Sequence, residues 1–237
     1  MKRIHVIAEL GINHGGDMEY AKESIRIAKD CGADIWKTQV YSVDELFPDK
    51  QIVAQDRNWY NEVKKTELSK EQAFMLGDYC KEVGIEFMAS AFSQERLEWL
   101  REIGVNKHKI ASRMNQDWIY IYKVIAAGML VLVSVNDIND WHQYAVKGMV
   151  PMYCVAEYPT SLDKLDFHHV NFGQFDGFSD HTVGIEASMV AMARGATYVE
   201  KHFCLKRDDS NPDMVCSIEP DELRELVKFA RKVEVIL

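Results

Sequence analysis

The sequence predicts an α/β fold, a single (β/α)8 TIM barrel running from residue 1 to residue 237. Three observations predict it. Eight short β-prone runs alternate with amphipathic stretches from end to end. Glycines follow most of the amphipathic stretches, where helices commonly stop. No GxGxxG opens the first unit, which argues against the doubly wound open sheet as the rival.

The elements follow in order. A strand is expected at 4–10, then a helix at 18–31, where Ala21, Ile25, Ala28 and Cys31 recur at helical spacing and Gly32 ends the run. A strand at 35–40 leads into a long segment, 41–66, that carries Trp59 and Tyr60. A segment of that length serves as a lid over a binding site or as a surface excursion, and the residues alone leave both open. Helices at 70–83, 94–103, 118–127 and 139–147 alternate with strands at 86–92, 107–111, 130–135 and 150–157. Strands at 175–179 and 198–203 flank a helix at 183–194. A closing helix spans 220–236, with Asp221 and Glu222 in its first turn.

Composition narrows the function. The chain has 237 residues, 47% of them hydrophobic, enough for a sizeable core. A net charge of −9 argues against nucleic-acid and anionic-membrane partners, and leaves room for a local basic pocket. Five scattered cysteines without a CxxC pair suggest reduced thiols and a cytoplasmic location. No signal-peptide-like or membrane-spanning stretch is expected.

In such a barrel, chemistry collects at the C-terminal strand ends. Those ends are polar here: Glu9, then Lys37 and Gln39 on one strand face, Ser90, Lys109 with Ser112, Ser134, Tyr158, Ser179 with His181, and Glu200 to His202. Taken singly, each has a bland explanation: a capping serine, a paired lysine, a satisfied histidine. Together they point to one pocket. His181 and His202, at adjacent strand ends, can hold one divalent metal. Lys37, Lys109 and Lys201 around a common pocket would repel one another unless an anion enters.

The order of motifs resembles the sialic acid synthase family (N-acetylneuraminate synthase-like proteins). The matching stretches are Ala8 to Gly16, Lys37-Thr38-Gln39, Lys109-Ile110-Ala111-Ser112, Glu157-Tyr158-Pro159-Thr160, Ser179 to Thr182 and Glu200 to Phe203. Pro212-Asp213, with Ser217 to Pro220, matches the last barrel loop. The resemblance covers essentially the whole chain. It implies metal-assisted condensation of phosphoenolpyruvate with an aldose or other aldehyde, giving a 2-keto-3-deoxy sugar acid and phosphate. It implies that His181 and His202 ligate Mn or Mg, which acts as a Lewis acid on the aldehyde oxygen. Lys37, Gln39, Ser90, Lys109, Ser112, Ser134 and Ser179 match positions that hold phosphoenolpyruvate. Tyr158 and Asp213 match positions near the substrates. Glu9 matches the acidic residue at the reaction centre, as general base or hydroxyl anchor. Family analogy also suggests a homodimer.

The chain departs from the family pattern at Arg113-Met114, usually Gly-Glu, and at Val135-Asn136-Asp137, usually Thr-Gly-Met. It departs again at Ala156, often Asn or Ser, and at Met214, usually His. The sequence also ends at Leu237, without the antifreeze-like domain usual in the family, so the acceptor is expected to differ from the usual N-acylated hexosamine. Two other readings remain at this stage. One is a lysine Schiff-base aldolase or lyase acting on pyruvate, and the other is a non-catalytic barrel that binds phosphoenolpyruvate.

Overall fold

The computed structural model describes residues 2–237. Eight parallel strands close a barrel: β1 (His5–Gly11), β2 (Ile35–Val40), β5 (Glu86–Ala91), β6 (Lys107–Ile110), β7 (Leu130–Val135), β8 (Met149–Cys154), β9 (Gly177–Asp180) and β10 (Tyr198–His202). Each pairs with its neighbour in that order, and β10 closes on β1, with Glu9 opposite His202. The first and last strands lock in register because alternate residues face a packed interior and a packed exterior.

The exterior face of β1, Val6, Ala8 and Leu10, joins the core beneath the helices. The interior face begins with an apolar layer of Ile7, Ile35, Met88, Leu132 and Met152, all fully buried. Each of those side chains contributes about 1.5–3 kcal/mol of burial. This layer plugs the barrel and leaves only the rows above it open to a ligand.

Helices α1 (Met18–Cys31), α4 (Lys70–Val83), α5 (Gln94–Ile103), α6 (Trp118–Ala126), α8 (Glu186–Ala193) and α9 (Pro220–Ile236) cover the barrel. Their ends were legible in the sequence because capping chemistry sets them. Asp17 accepts from the amides of Glu19 and Tyr20, Ser69 and Gln72 form a reciprocal capping box, and Gly32 and Gly84 end their helices in the left-handed region.

Three differences from the sequence reading matter. The helix expected at 139–147 shrinks to one turn, α7 (Trp141–Tyr144), whose one buried residue is Tyr144. Asp137 accepts from the amide of Asn139 and diverts the backbone into a turn. Between β8 and β9 there is only a 3-10 turn, Leu162–Lys164, among the described residues. The segment 41–66 is folded: α2 (Val43–Leu46), a hairpin of β3 (Val53–Ala54) and β4 (Arg57–Asn58), and α3 (Tyr60–Lys64). It has its own apolar cluster of Tyr41, Val43, Trp59 and Val63, which packs with Ile12 of the first barrel loop.

Candidate functional site

Side-chain alternation along the strands builds the site one row above the apolar plug. Glu9, Lys37, Ser90, Lys109, Ser134, Ser179 and Glu200 line a cavity of about 40 Å³ at the barrel mouth, with Gln39, Ser112, Tyr158, His181 and His202 around its upper edge. Every predicted site residue except Asp213 lines this cavity. Asp213 lines the wider cavity outside it and reaches the same centre through His202, whose Nδ1 lies 3.6 Å from its Oδ2.

The charges interlock. Lys37 Nζ lies 2.7 Å from Glu9 Oε2 and 3.7 Å from Glu200 Oε1. Lys109 Nζ lies 3.9 Å from the same Glu200 oxygen and donates to Ser134 Oγ at 2.5 Å and Ile110 O at 3.1 Å. Ser179 donates to Glu200 Oε1, and Gln39 donates to Glu9 Oε1. Burial opposes charge on all four groups, and their mutual attraction decides the outcome. Burial works against the Lys37 ammonium, but Glu200 and Glu9 outweigh it and raise its pKa. Burial lowers that of Lys109, which Glu200 offsets only in part. Burial would raise Glu200, but Lys109 and Lys37 pull it below the usual range. Glu9 is raised by burial despite Lys37. Two lysines and two carboxyl groups thus share one buried pocket. Glu200 Oε2 is left without a hydrogen-bond partner.

Above this row sit the histidines, with ring centroids 5.6 Å apart. Tyr158 stacks on His181 at 4.1 Å and meets His202 edge-on at 5.7 Å. His181 Nδ1 donates to Val155 O at 2.9 Å, which leaves Nε2 as the ring's lone pair. Burial and the nearby charge of His181 hold His202 far below the usual imidazole range, so it is neutral. Its Nδ1 is buried without a hydrogen-bond partner. Burial and the charge of Glu9 push Asp213 up to about 7.

No group of three or more His, Cys, Asp or Glu side chains is placed to hold a metal among the described residues. Two imidazoles, one of them with an orphaned buried nitrogen, fit a divalent ion whose other positions go to water and substrate, and such an ion would take the place of the proton that the surrounding charge favours on His181.

Gly11 shapes the same spot. It has φ +54°, and a Cβ there would lie 3.2 Å from Glu9 Oε1 and 3.4 Å from both Asp213 Oδ2 and Gln39 Nε2. The register shift between β1 and β2 falls between Glu9 and Gly11.

Lys201 is corrected by the structure. It does not face the pocket. It points out of the barrel, fully buried, where Nζ donates to Thr182 O and lies 3.2 Å from Asp180 Oδ1. Asp180 also accepts from the amide and hydroxyl of Thr182 and from Ser188. The pocket therefore holds two lysines, not three. Sequence parity carried this signal: Lys201 is one residue from His202, and Glu200 is two. The same parity keeps Glu200 in the pocket, where the strand-end reading had placed it without assigning it a role. Cys154 was missed as well. It ends β8 with its thiol 3.9 Å from His181 Nδ1 and 3.4 Å from Ser112 Oγ.

The outer cavity, about 330 Å³, opens above and shares Gln39, Ala111, Ser112 and Tyr158 with the inner one. The 41–66 segment forms one wall of it through Leu46, Phe47, Ile52 and Ala54, so this segment is part of the site and not a surface excursion. Gln55 of the hairpin donates to Pro212 O and ties the segment to the last barrel loop. Only some of the residues that depart from the family pattern reach this cavity. Ala156 and Arg113 line the outer cavity, Met214 is buried beside Asp213, and Met114 packs against the main core.

A closed (β/α)8 barrel with an ionisable pocket at the C-terminal strand ends has the architecture of a barrel enzyme. Comparison with known proteins makes this specific. Residues 24–237 match the NeuB family, and the chain belongs to it. It is 30% identical to the N,N'-diacetyllegionaminic acid synthase of Legionella pneumophila, over 98% of this chain and 72% of that protein. It is 33% identical to the human N-acetylneuraminate-9-phosphate synthase, over 97% of this chain and 70% of that protein. The crystal structure of the N-acetylneuraminic acid synthetase of Leptospira borgpetersenii, in complex with citrate, superposes with a TM-score of 0.86 at 29% identity, covering 99% of this chain and 85% of that one. The chain is an enzyme, a C–C bond-forming transferase of the synthase type. No helix among the described residues is long and apolar enough to cross a membrane.

Proposed function

We propose that the protein condenses phosphoenolpyruvate with an aldehyde to give a 2-keto-3-deoxy acid and phosphate. The observation that carries this reading is the stacked order of the site. A row with two lysines and three serine hydroxyls lies beneath a pair of imidazoles, inside a NeuB-family barrel. Lys37 and Lys109 would take the phosphate and carboxylate of phosphoenolpyruvate by charge-assisted hydrogen bonds. Ser90, Ser112, Ser134, Ser179 and Gln39 would satisfy its remaining oxygens. His181 and His202 would hold a divalent metal, Mn or Mg, and that ion would polarise the acceptor's aldehyde oxygen.

Tyr158 and Asp213 flank the histidines and would orient the acceptor. C3 of phosphoenolpyruvate then forms the new bond to the aldehyde carbon. Water adds to C2 as Glu9 accepts a proton from it, a task that its raised pKa suits. The resulting tetrahedral carbon expels phosphate by C–O cleavage, so the sum is phosphoenolpyruvate, aldehyde and water in, keto acid and phosphate out.

One observation favours a second reading. Burial lowers the pKa of Lys109, as an amine nucleophile requires. Its hydrogen bonds to Ser134 and Ile110 commit it elsewhere.

The test is phosphate release from phosphoenolpyruvate with Mn and a panel of aldoses and small aldehydes. Release that EDTA abolishes and that His181→Ala reduces by about 100-fold or more supports condensation. A borohydride-trapped pyruvate adduct on Lys109, without phosphate release, would replace it with the Schiff-base reading.

A further inference from the structure

The acceptor must occupy the outer cavity, because the inner one is about 40 Å³ and carries the lysine pair. The outer cavity is larger, about 330 Å³, and mostly apolar, with Ile12, Leu46, Phe47, Ile52 and Phe92 among its walls. Such walls offer few partners to a polyhydroxylated sugar. Each hydroxyl buried there without a hydrogen bond is penalised.

One cation lines this cavity. Arg113 follows the fourth barrel strand, and its guanidinium lies 4.5 Å above the ring of Phe47 and donates to Leu46 O at 3.4 Å. It has no carboxylate partner among the described residues, unlike Lys37 and Lys109 below it. Burial works against its charge without a compensating anion. The acidic residue of the cavity, Asp213, follows the eighth barrel strand, on the opposite side of the ring of strands. The cavity is thus polarised across its width: Asp213 on one side, a guanidinium without a carboxylate partner on the other, apolar walls between. A planar guanidinium with open donors matches carboxylate or phosphate oxygens in a way that a neutral hydroxyl cannot.

We infer that Arg113 is a specificity-determining residue, and that the acceptor is an aldehyde with a compact, sparsely hydroxylated body and an anionic group at the end remote from the carbonyl. The shared chemistry is a terminal carboxylate or phosphate monoester. This inference rests on the condensation reading for the role of the cavity, but not for the binding itself.

The test pairs aldehydes of matched length: butanal with 4-oxobutanoate, and glyceraldehyde with its 3-phosphate. Both pairs are run with wild type, Arg113→Met and Arg113→Lys in the Mn and phosphoenolpyruvate phosphate-release assay. In parallel, each aldehyde is titrated calorimetrically into protein loaded with Mn and phosphoenolpyruvate. Wild type is expected to favour the anionic member by about ten- to a hundredfold in kcat/KM, through KM. Arg113→Met is expected to bring that ratio close to one, and Arg113→Lys to recover part of it. The carboxylate and phosphate pairs show which anion is preferred. Equal use of neutral and anionic members by wild type overturns the inference and leaves condensation standing. So does an anionic preference that survives Arg113→Met. Arg113-dependent binding of the anionic aldehyde without phosphate release keeps the inference and removes the condensation reading. No binding of either anionic aldehyde overturns it.

Discussion

Glu200 is the residue on which the pocket's electrostatics turn. Its Oε1 is shared by Lys37, Lys109 and Ser179, so it compensates both cations while the pocket is empty of substrate. A buried charge that loses its partner costs about 3–5 kcal/mol, whereas removing both partners is far milder. Lys109→Met is therefore expected to lower stability in urea by a few kcal/mol. Adding Glu200→Gln should restore most of that loss. Calorimetry should nevertheless find phosphoenolpyruvate binding weakened about tenfold or more in both variants, because the lysine's charge-assisted bonds are gone. If binding recovers along with stability, Lys109 serves the fold alone. Lys37, Lys109 and the serines were legible because polar residues at strand ends are unusual. The sharing of Glu200 was not, because sequence parity names the face of a side chain but not its distances.

At the scale of elements, two devices hold the site in place. The first is the tie between the ends of β9 and β10. Asp180 and Lys201 each precede a histidine, and their buried contact fixes both strand ends from outside the barrel. Lys201→Met should destabilise the fold by about 3–5 kcal/mol by stranding Asp180. It should also weaken Mn binding, measured by metal titration, by about tenfold or more, although Lys201 touches neither imidazole. Unaltered Mn affinity in the folded variant would reduce the tie to a stability element. The second device is the folded 41–66 segment. Its length flagged it, but its α2–hairpin–α3 structure escaped sequence reading because each piece is five residues or shorter, too short for periodicity to register.

For the whole molecule, the barrel was legible because eight short β-prone runs alternate with amphipathic stretches that end at glycines, which leaves few other closures. Elements with strong caps appeared at their expected residues. Those whose polar loops compete with the helix, such as α7, did not. Burial of neutral imidazoles adds a global pH dependence. Burial holds His14 down to about 4, and burial with the charges of Lys37 and Lys109 holds His108 down to about 3, against 6.5 for the free group. Both folded pKa values are depressed, so below pH 6.5 the unfolded chain takes up protons that the folded chain refuses. Their contribution is full above 6.5 and is lost progressively down to about 4 and about 3. For His14 alone the loss is on the order of 3 kcal/mol. Thermal unfolding is expected to show the melting temperature level above about pH 6.5 and falling from there to pH 5, with a shallower fall in His108→Gln. A flat profile would show that these imidazoles titrate freely in the fold.

The two cavities share Gln39, Ala111, Ser112 and Tyr158, and the smaller lies beneath the larger. Nesting of this kind imposes a sequence in time. In the proposed reaction, a molecule seated in the outer chamber blocks the way down, so the small anion must arrive first and the acceptor second. The larger product must then clear the outer chamber before phosphate can leave. An acceptor that arrives early closes the door on its own co-substrate, so excess acceptor would act as its own inhibitor.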